Sequence, residues 1–328
     1  MIPTFLLITS LLAAGVAFWL SAPPPEDEPQ PMSPKKVDEL LRAVTMPAAD
    51  LGEASTADRI RSAVETHGFV KLDGFLTSEE AATWRSRAER HVCEEAPQLE
   101  FGYCLCELQS QEPFAGILEQ LLAQEKVSQV FTALTLDEGY RFAGHSDISC
   151  DKVIFWHKDK LNGKYAKYQQ LSPWTPGGKH KIYKLLLYLQ DHRNDSEALR
   201  VVPGSHLESE VRLQGARYVQ MHPNLGDAIV IDQRVTHTGQ SRVQGNPHRI
   251  LVSLGFGANN TWTDEFQTGT EARQAADLEA MEGRSRQPDW QKQGMKVLHD
   301  NLLRPGLGLV YSSLSPLRIL GLASQVYG

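Results

Sequence analysis

Residues 183–206 read YKLLLYLQDHRNDSEALRVVPGSH and contain two short apolar runs separated by polar residues. The first run, residues 183–189, is apolar and aromatic and has the length of a buried β-strand. The second run, residues 198–202, ends at Pro203-Gly204, a dipeptide that is typical of turns. The segment therefore predicts a strand, a turn and a second strand.

Similar short strands are predicted on the C-terminal side of this segment. LGD at residues 225–227 forms a turn into the apolar run AIVID, and residues 249–256 read RILVSLGF. Short strands with turn signals between them, and with no helical pattern among them, favour an antiparallel sandwich or barrel. Amphipathic patterns at residues 37–66, 78–92 and 114–133 predict helices that pack against the sheet.

Candidate metal ligands lie in this predicted β region. His157 and Asp159 are two residues apart, so their side chains lie on the same side of an extended segment. Together with His237 they could occupy one face of an octahedral Fe(II). Arg249, on a neighbouring strand, could bind a carboxylate through its planar guanidinium group. Residues 145–147 repeat the His-x-Asp pattern and are a competing candidate.

Two longer motifs extend this interpretation to a known family. LRVVPGSH at residues 199–206 and GFVKLDGFL at residues 68–76, with Asp227 before a strand that leads to a histidine, resemble the phytanoyl-CoA dioxygenase-type enzymes. These are Fe(II)- and 2-oxoglutarate-dependent oxygenases, and the resemblance covers roughly residues 58–257. It implies a mainly β fold with flanking α-helices, a double-stranded β-helix or jelly roll.

The resemblance also implies a site. His157, Asp159 and His237 would bind Fe(II), and Arg249 would hold the far carboxylate of 2-oxoglutarate. The His145-x-Asp147 triplet lies farther from the Pro-Gly segment than the family interval allows. The expected reaction consumes O2 and releases succinate and CO2. Because Asp159 stands where related halogenases have a small residue, the expected outcome is hydroxylation.

The segment between Lys158 and Lys184 is rich in lysine, although the chain as a whole has a net charge of −7. A patch of one sign beside a site attracts ions of the opposite sign, so we expect a small or lipid-like, anionic substrate. The candidate substrate residues are Lys164, Lys167, Trp174 and Lys184. The alternative is a solvated segment whose lysines have no specific role.

Composition narrows the class of protein. The 328 residues are 41% hydrophobic and 22% charged, which is typical of a globular protein. The net negative charge argues against nucleic-acid binding. The sequence contains no glycine-rich GxGxxG or Walker loop, so nucleotide-dependent classes have no support.

The N-terminal region differs from the rest of the chain. Residues 1–22 are mostly apolar and carry no charged side chain, which predicts a membrane anchor or a signal segment, with a single-pass anchor preferred. The alternative is that this segment is cleaved and the protein is then secreted or targeted to an organelle. Residues 23–36 form a proline-rich acidic linker. We expect the oxygenase domain at residues 37–262 and a helical extension at residues 263–328.

The spacing of the four cysteines indicates whether they can form disulfides or a zinc site. Cys104 and Cys106 are too close in sequence for an ordinary disulfide, and no Cys-x-x-Cys zinc pair occurs. We therefore expect Cys93, Cys104, Cys106 and Cys150 to be mostly free thiols.

Two further functions remain open from the sequence. One is a jelly-roll binding protein without catalytic turnover, and the other is a cupin-like metalloenzyme that does not use 2-oxoglutarate. Arg249 distinguishes the second alternative, because it has a clear role only if a dicarboxylate binds.

Overall fold

Two β-sheets face each other in the computed structural model, which describes residues 28–96, 98–99, 102–192, 198–240 and 245–285. The minor sheet has the strand order β1-β10-β9-β12-β7, and the major sheet has the order β2-β3-β11-β8-β13-β6-β5-β4. The strands are β1 (Gln30–Pro31), β2 (Thr45–Pro47), β3 (Phe69–Asp73), β4 (Gln98–Leu99), β5 (Gly102–Cys106), β6 (Tyr140–Cys150), β7 (Ile154–His157), β8 (Ile182–Tyr188), β9 (Arg200–Val202), β10 (Arg217–Gln220), β11 (Ala228–Asp232), β12 (Thr236–Gly239) and β13 (Ile250–Ala258). The expected jelly roll with flanking helices is confirmed.

The centre of the major sheet consists of strands whose side chains are buried on both faces. Strand β8 is buried at every position, and β11 is buried at every position as well. A strand covered on both faces reads as a continuous apolar run without polar alternation. This is why residues 183–189, apart from Lys184, and residues 228–232, apart from the final Asp232, are recognisable as strands from the sequence.

Helices cover one face of the major sheet. They are α1 (Pro34–Val44), α2 (Ala54–His67), α3 (Ser78–Ala88), α4 (Glu112–Leu122) and α5 (Glu125–Thr135). Helix α6 (Thr261–Ser285) lies on the other face, because its Thr263 and Phe266 lie beside Gly257 and Gly255, which alternate with Phe256 along β13. Phe131 of α5 stacks on Phe256 of β13 with ring centroids 3.9 Å apart. The helix predicted at residues 114–133 is two helices, because the backbone of Gln124 is extended and caps the second one.

The opposite face of the major sheet looks towards the minor sheet. Side chains alternate along β8, so Lys184, Leu186 and Tyr188 project from this face. Helix α6 packs against β6 and against a short 3₁₀ helix, Gly163–Tyr168. The space between the two sheets is therefore where polar residues can meet inside the fold.

The prediction of a single-pass membrane protein is wrong on the structural evidence. No helix among the described residues is both long and apolar enough to cross a bilayer. The longest, α6, carries acidic and basic side chains along its length, which are costly inside a membrane. Residues 1–22, predicted as the anchor, and residues 286–328 of the predicted C-terminal extension lie outside the described residues.

The cysteine prediction is half wrong. Cys93 and Cys150 form a disulfide, with their Cα atoms 5.5 Å apart, whereas Cys104 and Cys106 are free and buried. Spacing within the sequence could exclude a pair two residues apart. It could not show that the segment after α3 packs beside the end of β6, because that contact arises only in the folded chain.

Gly226, in the turn before β11, provides a test of the packing around the sheet. It has a φ of +88°, and a Cβ atom there would lie 2.7 Å from the carbonyl oxygen of Leu76. We expect Gly226→Ala to lower the free energy of unfolding by about 2–4 kcal/mol, measured by urea denaturation. Gly74→Ala is the control, because Gly74 also has a positive φ but no neighbour within 4 Å. An equal loss in both variants would show that the Leu76 contact does not matter.

His180 predicts how stability depends on pH. Its side chain is buried, neither ring nitrogen has a hydrogen-bond partner in the described structure, and burial lowers its pKa to about 4. Between pH 4 and the ordinary value of 6.5, the unfolded chain binds a proton at this histidine and the folded chain does not. The stability contributed by neutral His180 is therefore present above pH 6.5 and is lost as the pH falls towards 4.

We expect His180→Leu to reduce this loss. The slope of unfolding free energy against pH should fall by at most about 1.4 kcal/mol per pH unit, measured by urea denaturation between pH 7 and 4.5. An unchanged slope would show that His180 is already protonated in the folded protein or does not titrate in this range.

Candidate metal centre

Strands β7 and β12 bring the two predicted histidine ligands together. They pair antiparallel with His157 directly opposite His237, and the two imidazole centroids are 4.3 Å apart. Asp159 follows β7 and is held by a hydrogen bond from its backbone N–H to the carbonyl oxygen of Gln233, at 2.8 Å. The strand pairing and this bond place three side chains that are distant in sequence at one point between the sheets.

The ligand atoms are within reach of one ion. Asp159 Oδ1 lies 3.4 Å from His157 Nε2, and Asp159 Oδ2 lies 3.5 Å from His237 Nε2. All three ligand atoms lie within 4.8 Å of one another. Two imidazoles and one carboxylate are the donor set of the facial triad that binds non-heme Fe(II).

Backbone carbonyl groups orient both imidazole rings. The Nδ1 atom of His157 lies 2.5 Å from the carbonyl oxygen of Phe155, and that of His237 lies 3.1 Å from the carbonyl oxygen of Val235. A carbonyl can only accept, so Nδ1 must carry the proton in each ring. In a neutral imidazole of this tautomer, Nε2 keeps a lone pair directed at the shared point, as a metal ligand requires.

The charges of His237 and Asp159 also suit a cation. Burial, with a smaller effect from His157, lowers the pKa of His237 to about 4, so its imidazole is neutral at physiological pH. Burial opposes ionisation of Asp159, but Lys184 and the two histidines outweigh it and hold the pKa of Asp159 well below its usual range. The site thus presents a carboxylate and a neutral imidazole without having to release protons.

Lys184, predicted as a substrate residue, lies directly at this site. Its Nζ atom is 3.0 Å from Asp159 Oδ1, and its side chain is 9% exposed. Lys184 belongs to the major sheet, whereas Asp159 follows a strand of the minor sheet, so the ion pair joins the two sheets. Lys184 therefore contacts the carboxylate that faces both histidines.

Arg249 is buried and retains an unsatisfied donor. It immediately precedes β13, and its guanidinium lies beside Gly239, two residues after His237, where a Cβ atom would be 3.5 Å from Nη2. Its Nη2 donates to the carbonyl oxygen of Lys152, but its Nε has no hydrogen-bond partner among the described residues. A buried cationic donor without a partner is costly, which indicates a place for an anion.

Tyr188 is a residue of this site that the sequence interpretation missed. Its hydroxyl is also buried and has no partner in the described structure, and burial raises its pKa to about 12. Tyr188 pairs with Leu251 across β8 and β13, so its side chain shares a sheet face with that of Arg249. The residues present therefore fit a carboxylate that accepts from both. Only the alternation of side chains along β8 could have suggested this role.

The other predicted substrate residues lie elsewhere. Lys164 and Lys167 are exposed on the Gly163–Tyr168 helix, where their ammonium groups lie 5.2 and 5.0 Å from the ring centroids of Tyr165 and Tyr168. Trp174 donates from Nε1 to the carbonyl oxygen of His206 at 3.0 Å. In the described structure, none of these three side chains forms a hydrogen bond or an ion pair with the histidine and aspartate ligands.

The competing triplet forms a different cluster. His145 Nε2 lies 3.3 Å from Asp147 Oδ2 and also 3.3 Å from Ser253 Oγ. Within the described ranges, no third histidine, cysteine or acidic side chain completes a metal-binding group with this pair. His237 converges on His157 and Asp159. This supports these two residues as the metal ligands rather than His145 and Asp147.

Comparisons with solved structures find several similar chains. A structure of the α-ketoglutarate-dependent epimerase SnoN from nogalamycin biosynthesis is 15% identical, covers 63% of this chain and 84% of its own, and has a TM-score of 0.51. AviO1 from Streptomyces viridochromogenes is 20% identical, covers 62% and 95%, and has a TM-score of 0.46. HygX from Streptomyces hygroscopicus, with nickel and 2-oxoglutarate bound, is 16% identical, covers 60% and 84%, and has a TM-score of 0.46. No curated protein sequence matches the chain.

A sequence model of one family matches directly. The match to "Phytanoyl-CoA dioxygenase (PhyH)" extends over residues 64–244, which is more than half of the chain and includes all three candidate ligands. The Fe(II), 2-oxoglutarate and O2 expected from the sequence are the cofactors of that family. The chain belongs to the phytanoyl-CoA dioxygenase (PhyH) family.

Proposed function

We propose that this protein is an Fe(II)- and 2-oxoglutarate-dependent dioxygenase that hydroxylates a small substrate. Membership of the PhyH family supports an oxygenase of this type. The single observation that carries the proposal is the convergence of His157, Asp159 and His237, with a buried and incompletely paired Arg249 beside the same strand.

In this proposal the three converging side chains hold the iron. His157 and His237 would coordinate the iron through Nε2, because each Nδ1–H is bound to a backbone carbonyl. Asp159 would supply a carboxylate oxygen. Bound iron, with 2-oxoglutarate and O2, supplies the oxidising chemistry and releases succinate and CO2. The presence of Asp159, in place of a small residue, supports hydroxylation over halogenation.

Arg249 and Tyr188 hold the far carboxylate of 2-oxoglutarate. Both donors are buried, and both lack a complete set of partners in the described structure. A carboxylate would satisfy the guanidinium and the phenol hydroxyl together, and a charge-assisted bond of this kind is stronger than a neutral one. The same burial keeps water away from the carboxylate and so fixes the orientation of the co-substrate.

Anaerobic titration of the purified protein with Fe(II) and 2-oxoglutarate tests this function. The expected result is a saturable, weak visible charge-transfer band from the chelated 2-oxo acid. His237→Ala should abolish the band, because a ligand is lost. Arg249→Ala should retain the iron affinity and weaken 2-oxoglutarate by about 10- to 100-fold.

Each negative result has a distinct meaning. A well-folded, iron-loaded wild type that shows no band would contradict the proposal and favour a binding protein or a metalloenzyme that does not use 2-oxoglutarate. A band that persists in His237→Ala would contradict the ligand assignment alone.

We further propose that the substrate is a small anionic molecule and that Lys184 is the residue that attracts it. In the described structure, Lys184 is the only one of the four predicted substrate residues that forms an ion pair with a candidate iron ligand. Its ammonium group is nearly buried, and a charge in such a place interacts more strongly than one in water.

Substitution of Lys184 tests the anionic preference. We expect Lys184→Met to lose, by about tenfold or more, the stimulation of succinate release by anionic compounds in a panel of paired neutral and carboxylated candidates. Lys164→Glu/Lys167→Glu is the matched control and should keep the stimulation, because both lysines are exposed away from the ligands. Iron affinity is measured in parallel, since Lys184 contacts Asp159. A loss confined to the control would assign the preference to the exposed lysines instead.

A further inference from the structure

The turn after β6 makes an unusually complete set of contacts to Arg249. The backbone N–H of Asp151 donates to the carbonyl oxygen of Arg249 at 2.8 Å. In return, Asp151 Oδ1 accepts from the backbone N–H of Arg249 at 2.9 Å, and Oδ2 lies 2.7 Å from His248 Nδ1. Buried Asp151 therefore binds the backbone N–H and carbonyl groups of Arg249 and the imidazole of His248.

This arrangement uses an uncommon backbone conformation. Asp151 has a φ of +55°, in the left-handed region, where few residues other than glycine are found. Aspartate tolerates this region better than most side chains, but the conformation still has to be maintained by its surroundings. The left-handed turn lets the same residue present its N–H and its carboxylate to Arg249.

Neighbouring residues extend the contact to the guanidinium and to the start of β13. The carbonyl oxygen of Lys152 accepts from Arg249 Nη2. Gln190 Oε1 accepts from the backbone N–H of Ile250 at 2.7 Å. The arginine is thus held at its backbone, at its guanidinium and at the following residue. Its Nε is still left without a partner in the described structure.

A covalent bond anchors this turn. Cys150, immediately before Asp151, is linked to Cys93 in the π-helical segment Glu89–Glu94, which follows α3. Asp151 therefore lies between a disulfide on one side and the Lys152 carbonyl on the other. Movement of the turn would move the groups that hold Arg249.

We propose that Asp151 is a positioning residue for Arg249, and that the Cys93–Cys150 disulfide supports it, so that together they set the affinity for the far carboxylate of 2-oxoglutarate. The inference rests on the proposed function, in which Arg249 binds that carboxylate. A planar guanidinium binds a carboxylate well only when its orientation is fixed beforehand, and supporting contacts supply this orientation.

The experiment is the anaerobic titration with Fe(II), repeated for Asp151→Ala with two 2-oxo acids. We expect 2-oxoglutarate to bind about 10- to 100-fold more weakly than to wild type. Binding of 2-oxobutyrate, which has the same chelating group but no far carboxylate, should be unchanged, as should the Fe(II) affinity. In the Arg249→Ala background, Asp151→Ala should have no additional effect on 2-oxoglutarate.

A separate pair of variants tests the role of the disulfide. Cys93→Ser/Cys150→Ser should weaken 2-oxoglutarate in the same selective way, and Cys106→Ser, which removes a buried free thiol, is the matched control and should not. If Asp151→Ala does not fold, Asp151→Asn replaces it, because its side-chain oxygen can still accept from the Arg249 N–H. The expected loss is then smaller but has the same selectivity.

The outcomes separate this inference from the function on which it rests. Equal binding of 2-oxoglutarate by wild type and Asp151→Ala overturns the inference and leaves the proposed function intact. Equal weakening of both 2-oxo acids, or a weakened Fe(II) affinity, assigns Asp151 a general structural role and also overturns it. Absence of 2-oxoglutarate binding by wild type overturns the proposed function and the inference together.

Discussion

The antiparallel pairing of β7 with β12 is the constraint on which the candidate site depends. It sets His157 opposite His237, and the end of β7 then directs Asp159 back towards both. A shift of one residue in this register would turn one imidazole to the other side of the sheet. The flanking pairing of β12 with β9, in which His237 lies opposite Val201, fixes the register from the other side. Ser205, in the turn after β9, accepts a hydrogen bond from the backbone N–H of Thr236 at 2.7 Å, so this turn supports β12 without supplying a ligand.

Charged residues in the space between the sheets are arranged for binding more than for stability. Burial of Lys184 and Asp159 removes both from water, and an ion pair in the interior barely compensates for that cost. Arg249 is less completely satisfied still, because its Nε lacks a partner in the described structure. The fold maintains these groups through the apolar packing of the major sheet on its helices, as in the stack of Phe131 on Phe256. A cation at the three ligands and an anion at Arg249 would complete the electrostatics of the interior.

The lysine-rich segment shows why a charge pattern in sequence is a weak guide to a binding surface. Lys158 is buried and donates to the carbonyl oxygens of Ser205 and Arg234 at 2.5 and 2.7 Å. Lys181 pairs with Glu138 at 2.9 Å. These lysines connect the segment to the rest of the fold, because their ammonium groups bind carbonyl oxygens or a carboxylate of the protein itself. Only the tertiary contacts separate them from Lys184, which faces Asp159.

The sequence by itself determined the class of fold and the candidate ligands. Apolar runs such as residues 183–189 and 228–232 mark doubly buried strands wherever they occur, and a His-x-Asp pair in an extended segment shares a face by local geometry alone. Pairings between distant segments carry no such local signal. The Cys93–Cys150 disulfide, the place of Tyr188 beside Arg249 and the contacts of Asp151 arise because separate strands and helices pack together. The tertiary structure alone decided them, since each depends on the register of strands and the packing of helices rather than on the residues next to it in the chain.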